Sequence, residues 1–204
     1  MTVVINGSTG ITTPSPVVLE GSTSGTLTLA GPAVAGTNTQ TLVATTGTLA
    51  PIVSGTAQAS TSGTSIDFTG IPSWVKRITV MMAGTSTNGS SNLRIQIGDS
   101  GGIETTGYAS SSAIGTTYGL DTGGFSLTAS ITSASISSGN AVLTLLNAAT
   151  NTWSCSGCLG YSNAAGASYF GGSKSLSDTL DRIRLTTVNG TDTFDAGTIN
   201  IIYE

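Results

Sequence analysis

Four short stretches of this chain carry side chains that could exchange protons, attack an electrophile or hold a metal. Gly98-Asp99-Ser100-Gly101-Gly102 has the letters found around a serine-protease nucleophile. A serine hydroxyl attacks carbon only when a base lies within hydrogen-bond reach, and that base is ordinarily histidine. The chain has no histidine, and its two lysines, Lys76 and Lys174, show no spacing that pairs either with Ser100. The stretch therefore reads as a turn after a strand. Cys155-Ser156-Gly157-Cys158 has the spacing of zinc knuckles and thioredoxin-like redox sites, but zinc needs four ligands and these are the only 2 cysteines. Strand-like, Gly-rich flanks do not supply the helix start that lowers a redox thiol's pKa, so a tight loop with reduced thiols or a local disulfide is expected. Asp178 with Asp181, and Asp192 with Asp195, could serve a glycosidase as acid and base, although aspartates beside strands more often cap turns. No calcium-loop pattern occurs, and Gly171-Gly172-Ser173-Lys174-Ser175 lacks the order of a phosphate-binding loop.

The aromatic residues are a different kind of candidate. Tyr108, Tyr118, Tyr161, Tyr169 and Phe170 stand in Gly/Ser/Ala-rich stretches that read as loops at the end of a β-sandwich. An exposed tyrosine stacks on the apolar face of a sugar ring and offers a hydroxyl to its edge, with little entropy lost. The competing role is to fill loop bases or a subunit contact. Tyr203 and Trp153 fall on strands and are expected in the core.

Composition narrows the function further. Of 204 residues only 8% are charged, Ser and Thr supply about a third, and the net charge is -4. Six scattered basic residues cannot build the continuous positive surface that a phosphate backbone requires, so nucleic acid is not an expected partner. No run of about 18 apolar residues is present to span a bilayer, and the opening MTVVINGSTG lacks the features of a secretory signal. A non-enzymatic protein made in the cytoplasm, with no cofactor, no metal and no membrane insertion, is the expectation.

The elements that must position these residues divide unevenly along the chain. Residues 1–66 hold one charged side chain, Glu20, and no aromatic residue. Short alternations at Gly25–Leu29 and Thr39–Val43 read as strands, but the segment lacks the bulk for a core of its own. It is expected to be an anchoring arm ordered against other chains. Residues 67–204 should form a separate module. Strands are predicted at Val75–Met82, Leu93–Ile97, Phe125–Ile131, Ala141–Leu146, Thr152–Leu159, Asp181–Val188 and Thr198–Tyr203. Asn88-Gly89 predicts a hairpin between the first two, and Asn189-Gly190 another between the last two. No helical period is evident, so the fold class is all-β: an extended arm followed by an antiparallel, jelly-roll-like sandwich.

Three segments add a resemblance. Gly31-Pro32-Ala33-Val34-Ala35-Gly36-Thr37-Asn38-Thr39, followed by Leu42 and Thr45–Leu49, resembles a segment recurrent in tail fibre and related virion proteins of tailed bacteriophages. Asp67–Pro72 and Asn189–Gly197 are similar to parts of a β-sandwich module in such proteins. The resemblance implies a virion structural protein assembled in the bacterial cytoplasm, a homotrimer whose residues 1–66 dock on a tail adaptor, a nozzle or the capsid. The outward sandwich would then contact host surface glycans. With no long shaft in the sequence, a short tail fibre or appendage is the leading expectation. Capsid decoration or a head fibre is the alternative, and a polysaccharide-degrading enzyme using the aspartates is the third.

Overall fold

The computed structural model describes residues 17–20, 26–29, 50–163 and 165–204. The chain divides into two units, Met1–Thr48 and Leu49–Glu204. In the first, β1 (Val17–Glu20) pairs antiparallel with β2 (Thr26–Leu29), placing Val17 opposite Leu29. The strand predicted at 25–29 is therefore present, and the one predicted at 39–43 lies outside the described residues.

The second unit is an antiparallel β-sandwich. Its strands are β3 (Val53–Ser54), β4 (Gln58–Ala59), β5 (Ser65–Thr69), β6 (Arg77–Thr87), β7 (Leu93–Asp99), β8 (Gly102–Ile103), β9 (Ala109–Ile114) and β10 (Thr117–Asp121). There follow β11 (Phe125–Ser126), β12 (Ser137–Asn147), β13 (Thr152–Tyr161), β14 (Ala167–Ser175), β15 (Arg182–Thr187) and β16 (Phe194–Tyr203). One sheet runs β10-β9-β14-β13-β12-β6-β16, with β3 and β4 both on the far side of β16. The other runs β11-β7-β15-β5, with β8 on β7. Alternation places one apolar row of each strand between the sheets. Ile78, Val80 and Met82 of β6 meet Leu93, Ile95 and Ile97 of β7 in one core with Leu143, Ile183 and Ile199.

Both predicted hairpins are overturned. Strand β6 has β12 on one edge and β16 on the other, and β7 has β15 and β11, so neither has a free edge for the other. Asn88-Gly89 instead carries the chain from one sheet to the other, where the Asn88 side-chain oxygen accepts from the Thr193 N–H at 2.9 Å. Likewise β15 lies between β7 and β5, while β16 lies in the opposite sheet. The strand predicted at 125–131 keeps a regular ladder only over Phe125–Ser126. Beyond it the Leu127 N–H donates to the Leu93 carbonyl at 2.9 Å.

The boundary expected at residue 66 also moves. Strands β3 and β4 pair with β16, and the Ser60 N–H donates to the Gly197 carbonyl at 2.9 Å, so residues 53–66 belong to the sandwich. Strands β9 and β14 were not predicted, because they bury serine where alternation arguments look for leucine. Ser110 and Ser112 of β9 point inward. The Ser112 hydroxyl lies 2.8 Å from that of Ser126, and the Ser126 N–H donates to the Ser110 hydroxyl at 2.9 Å. At this edge the sheets close through hydroxyl contacts between small side chains.

Candidate functional site

The edge closed by small residues carries the largest exposed side chains on the outer face of the same sheet. Strands β9 and β10 form a hairpin around Gly115, whose φ of 55° is one that glycine adopts without strain. Its register sets Tyr118 opposite Ala113, and β14 sets Tyr169 opposite Ala113 from the other side. Cross-strand partners share a face, so the two tyrosines flank one alanine in a single row. They are 76% and 65% exposed. In the next row Leu120, 88% exposed, stands opposite Ser111, and Ser111 opposite Gly171. Small floor residues leave the three large side chains standing above a flat shelf.

Both rows continue across the sheet without a charged residue. The first passes from Tyr169 through Cys158 and Asn140 to Met81 and Asn200. The second passes from Gly171 through Ser156, Val142 and Thr79 to Ile202. It ends in a cleft of about 330 Å³ lined by Ile52, Val142 and Ile202 together with the ion-paired Arg77 and Glu204.

The remaining predicted aromatic residues do not join this face. Tyr108 is buried: the Ile97 N–H donates to its hydroxyl at 2.8 Å, and the hydroxyl donates to the Glu104 carbonyl at 2.9 Å. Its ring stands edge-on to Phe125 at 5.1 Å, with the Lys174 ammonium 5.5 Å from the ring centre. Burial pushes its phenol far above the usual range. Phe170 is 8% exposed and covers Gly157, where an added Cβ would stand 2.6 Å from the ring. Tyr161 is half-buried on the inner face, packed against the core. Tyr108 and Phe170 are therefore core residues, and Tyr118 and Tyr169 lie on strands instead of loops. Leu120 was missed, although Tyr118-Gly119-Leu120 places two large residues at the two-residue spacing that marks one face of a strand.

The other motifs prove to be structural ties. Ser100 occupies the tight turn between β7 and β8. The Asp99 carboxylate beside it accepts from the Gly101 N–H at 2.8 Å and lies 2.7 Å from the Ser177 hydroxyl. The Ser177 hydroxyl and the Gly101 N–H hold Asp99 below the usual carboxylate range. Burial would raise Glu104, but Lys174 and Ser177 outweigh it and hold this group low as well. Lys174, whose side chain is 7% exposed, is ion-paired with Glu104, so it is a buried strut. Cys155 and Cys158 lie on the continuous strand β13, not in a loop, and both are free. Three positions apart on a strand, they face opposite ways, and no bridge joins them. Asp181 is gripped by Arg182 at 2.6 and 3.0 Å. Asp192 accepts from the Asn189 amide at 2.7 Å and from the Ser91 N–H at 2.9 Å, while Asp195 accepts from Ser86. Among the described residues no group of three or more acidic or cysteine side chains could hold a metal.

No protein-family model, curated protein or solved structure is similar enough to this chain to match it.

Proposed function

We propose that the chain is a structural component of a bacteriophage virion, a short tail fibre or appendage whose sandwich contacts the host surface. The observation that carries this reading is the pair of uncharged rows on the outer face that bear Tyr118, Leu120 and Tyr169. Such a face offers broad, weak adhesion and no reacting group. Two of the segments that resemble phage virion proteins lie in the sandwich, one at β5 and the turn after it, the other in the β15–β16 connection and the first residues of β16. The third lies outside the described residues, as does most of the arm proposed to dock on other virion proteins. A homotrimer would present the same shallow face three times, raising avidity without any new contact.

The test is retention of the purified full chain on whole bacterial cells and their surface polysaccharides, drawn from a broad panel of species. Retention on some strains that survives high salt is expected, because the two rows that bear these side chains have no charge to screen. No retention on any strain overturns the reading. So does imaging by cryo-EM that places the chain in the capsid lattice, which would establish the decoration alternative.

A further inference from the structure

Within the host-contact reading, on which this inference rests, the spacing of the two exposed tyrosines specifies a ligand class. Tyr118 and Tyr169 share a row with Ala113 between them. Their Cα atoms are therefore two strand spacings apart, about 9–10 Å. That distance matches one disaccharide repeat of an extended β-1,4-linked glycan. In such a chain each residue is turned over relative to the one before, so rings two residues apart present the same face. We propose that Tyr118 and Tyr169 stack two alternate rings of a neutral β-1,4-linked glycan lying across the strands. The intervening sugar would pass over Ala113, with the Ser111 hydroxyl in the adjoining row.

Three observations favour this occupant. The two rows are uncharged from β10 to β16, which offers nothing to a polyanion or a polycation. Between the rings the floor is Ala113, Ser111 and Gly171, too small to obstruct a flat chain and hydroxylated where sugar edges would lie. At the β10-β9-β14 edge the large apolar groups are two rings and one leucine set among small residues, and the apolar side chains farther along the rows, Val142, Met81 and Ile202, begin only at β12, whereas a protein partner would need a packed apolar centre of several such groups. An α-1,4 glycan coils and cannot lay alternate rings along one straight row.

Cys158 provides the reporter. It is exposed, directly opposite Tyr169 on the side away from Tyr118, and the second cysteine, Cys155, is buried. A fluorophore on Cys158 of the full chain is titrated with chitohexaose, cellohexaose, maltohexaose and heparin. The expected result is a saturable change with at least one β-1,4 hexasaccharide, a much weaker one with its disaccharide, and none with maltohexaose or heparin. Tyr118→Ala and Tyr169→Ala each weaken binding roughly 3- to 10-fold, and Tyr→Phe largely preserves it. Unchanged thermal melts show that the variants fold.

No response to either β-1,4 hexasaccharide overturns the ligand class. An equal response in the double alanine variant overturns the site. If that double variant still adheres to cells as the parent does, the host-contact reading stands and this site falls. If sedimentation shows a self-association abolished by Leu120→Lys, a second copy covers the face and the proposal is overturned.

Discussion

Tyr169 and Phe170 are neighbours in sequence, and one side of the pleat separates an exposed ring from a core ring. Phe170 covers Gly157 and closes the interior against β13, so Phe170→Ala should cost about 3–5 kcal/mol, whereas Tyr169→Ala should stay within about 0.5 kcal/mol. Urea unfolding of the two variants checks this pair, and equal losses would mean that the assigned faces are wrong. The same parity governs the cysteines. Burial pushes the Cys155 thiol up to about 12, so a thiol reagent should modify one cysteine per chain in the native state, at Cys158, and two after unfolding. Peptide mapping after a brief pulse identifies the modified position. The faces of β14 were not legible in the sequence, because its inward positions are Ser168, Phe170, Gly172 and Lys174, which show no hydrophobic period of two. In β13 the inward row Trp153, Cys155 and Leu159 does alternate, but Gly157 interrupts it beside Cys158 and the Cys-Ser-Gly-Cys stretch reads as a loop. In Ile78, Val80 and Met82 the period is plain, and there sequence and structure agree.

At the scale of elements, sequence patterns locate strands better than they pair them. Strands β6, β7, β12, β13, β15 and β16 were each visible from alternation, but an Asn-Gly pair says only that the chain turns. Which strands become neighbours is set by edge occupancy across the whole sandwich, and β6 and β16 are fully engaged by strands distant in sequence. The 88–91 crossing is fastened to the 189–193 loop by Asp192, which accepts from both Asn189 and the Ser91 N–H. An added Cβ on Gly89 would stand 2.0 Å from that carboxylate. Gly89→Ala should therefore displace Asp192 and lower the melting temperature by several degrees. Asp192→Ala should also destabilise, and the double variant should lose less than the sum, since both changes break one tie. Differential scanning calorimetry of the three variants measures that coupling, and full additivity would show that the tie does not exist.

For the whole molecule, the inventory of titratable groups predicts the pH response. With no histidine, no side chain has an ordinary pKa between about 5 and 8, so the melting temperature should be flat across that range. Asp99, Glu104 and Asp192 are all held below the usual carboxylate range in the folded state. A carboxylate with a depressed folded pKa releases its proton more readily in the native state, so the unfolded chain binds more protons as the solution acidifies. The stability it contributes is complete above its unfolded pKa of about 4 and is lost as pH falls toward the lowered folded value. Asp99 and Glu104 converge on Ser177, which joins the β7–β8 turn to the end of β14, so acid should loosen that corner along with the Asp192 crossing. A melting series from pH 8 to 2 should show a plateau followed by a decline beginning near pH 4, shallower in Asp99→Asn because one depressed carboxylate no longer titrates. Amide exchange near the start of the decline should rise first at residues 99–104 and 176–178 and at the crossing of 88–92 with 189–193, and uniform exchange across the sandwich at that pH would show that these ties do not control acid stability.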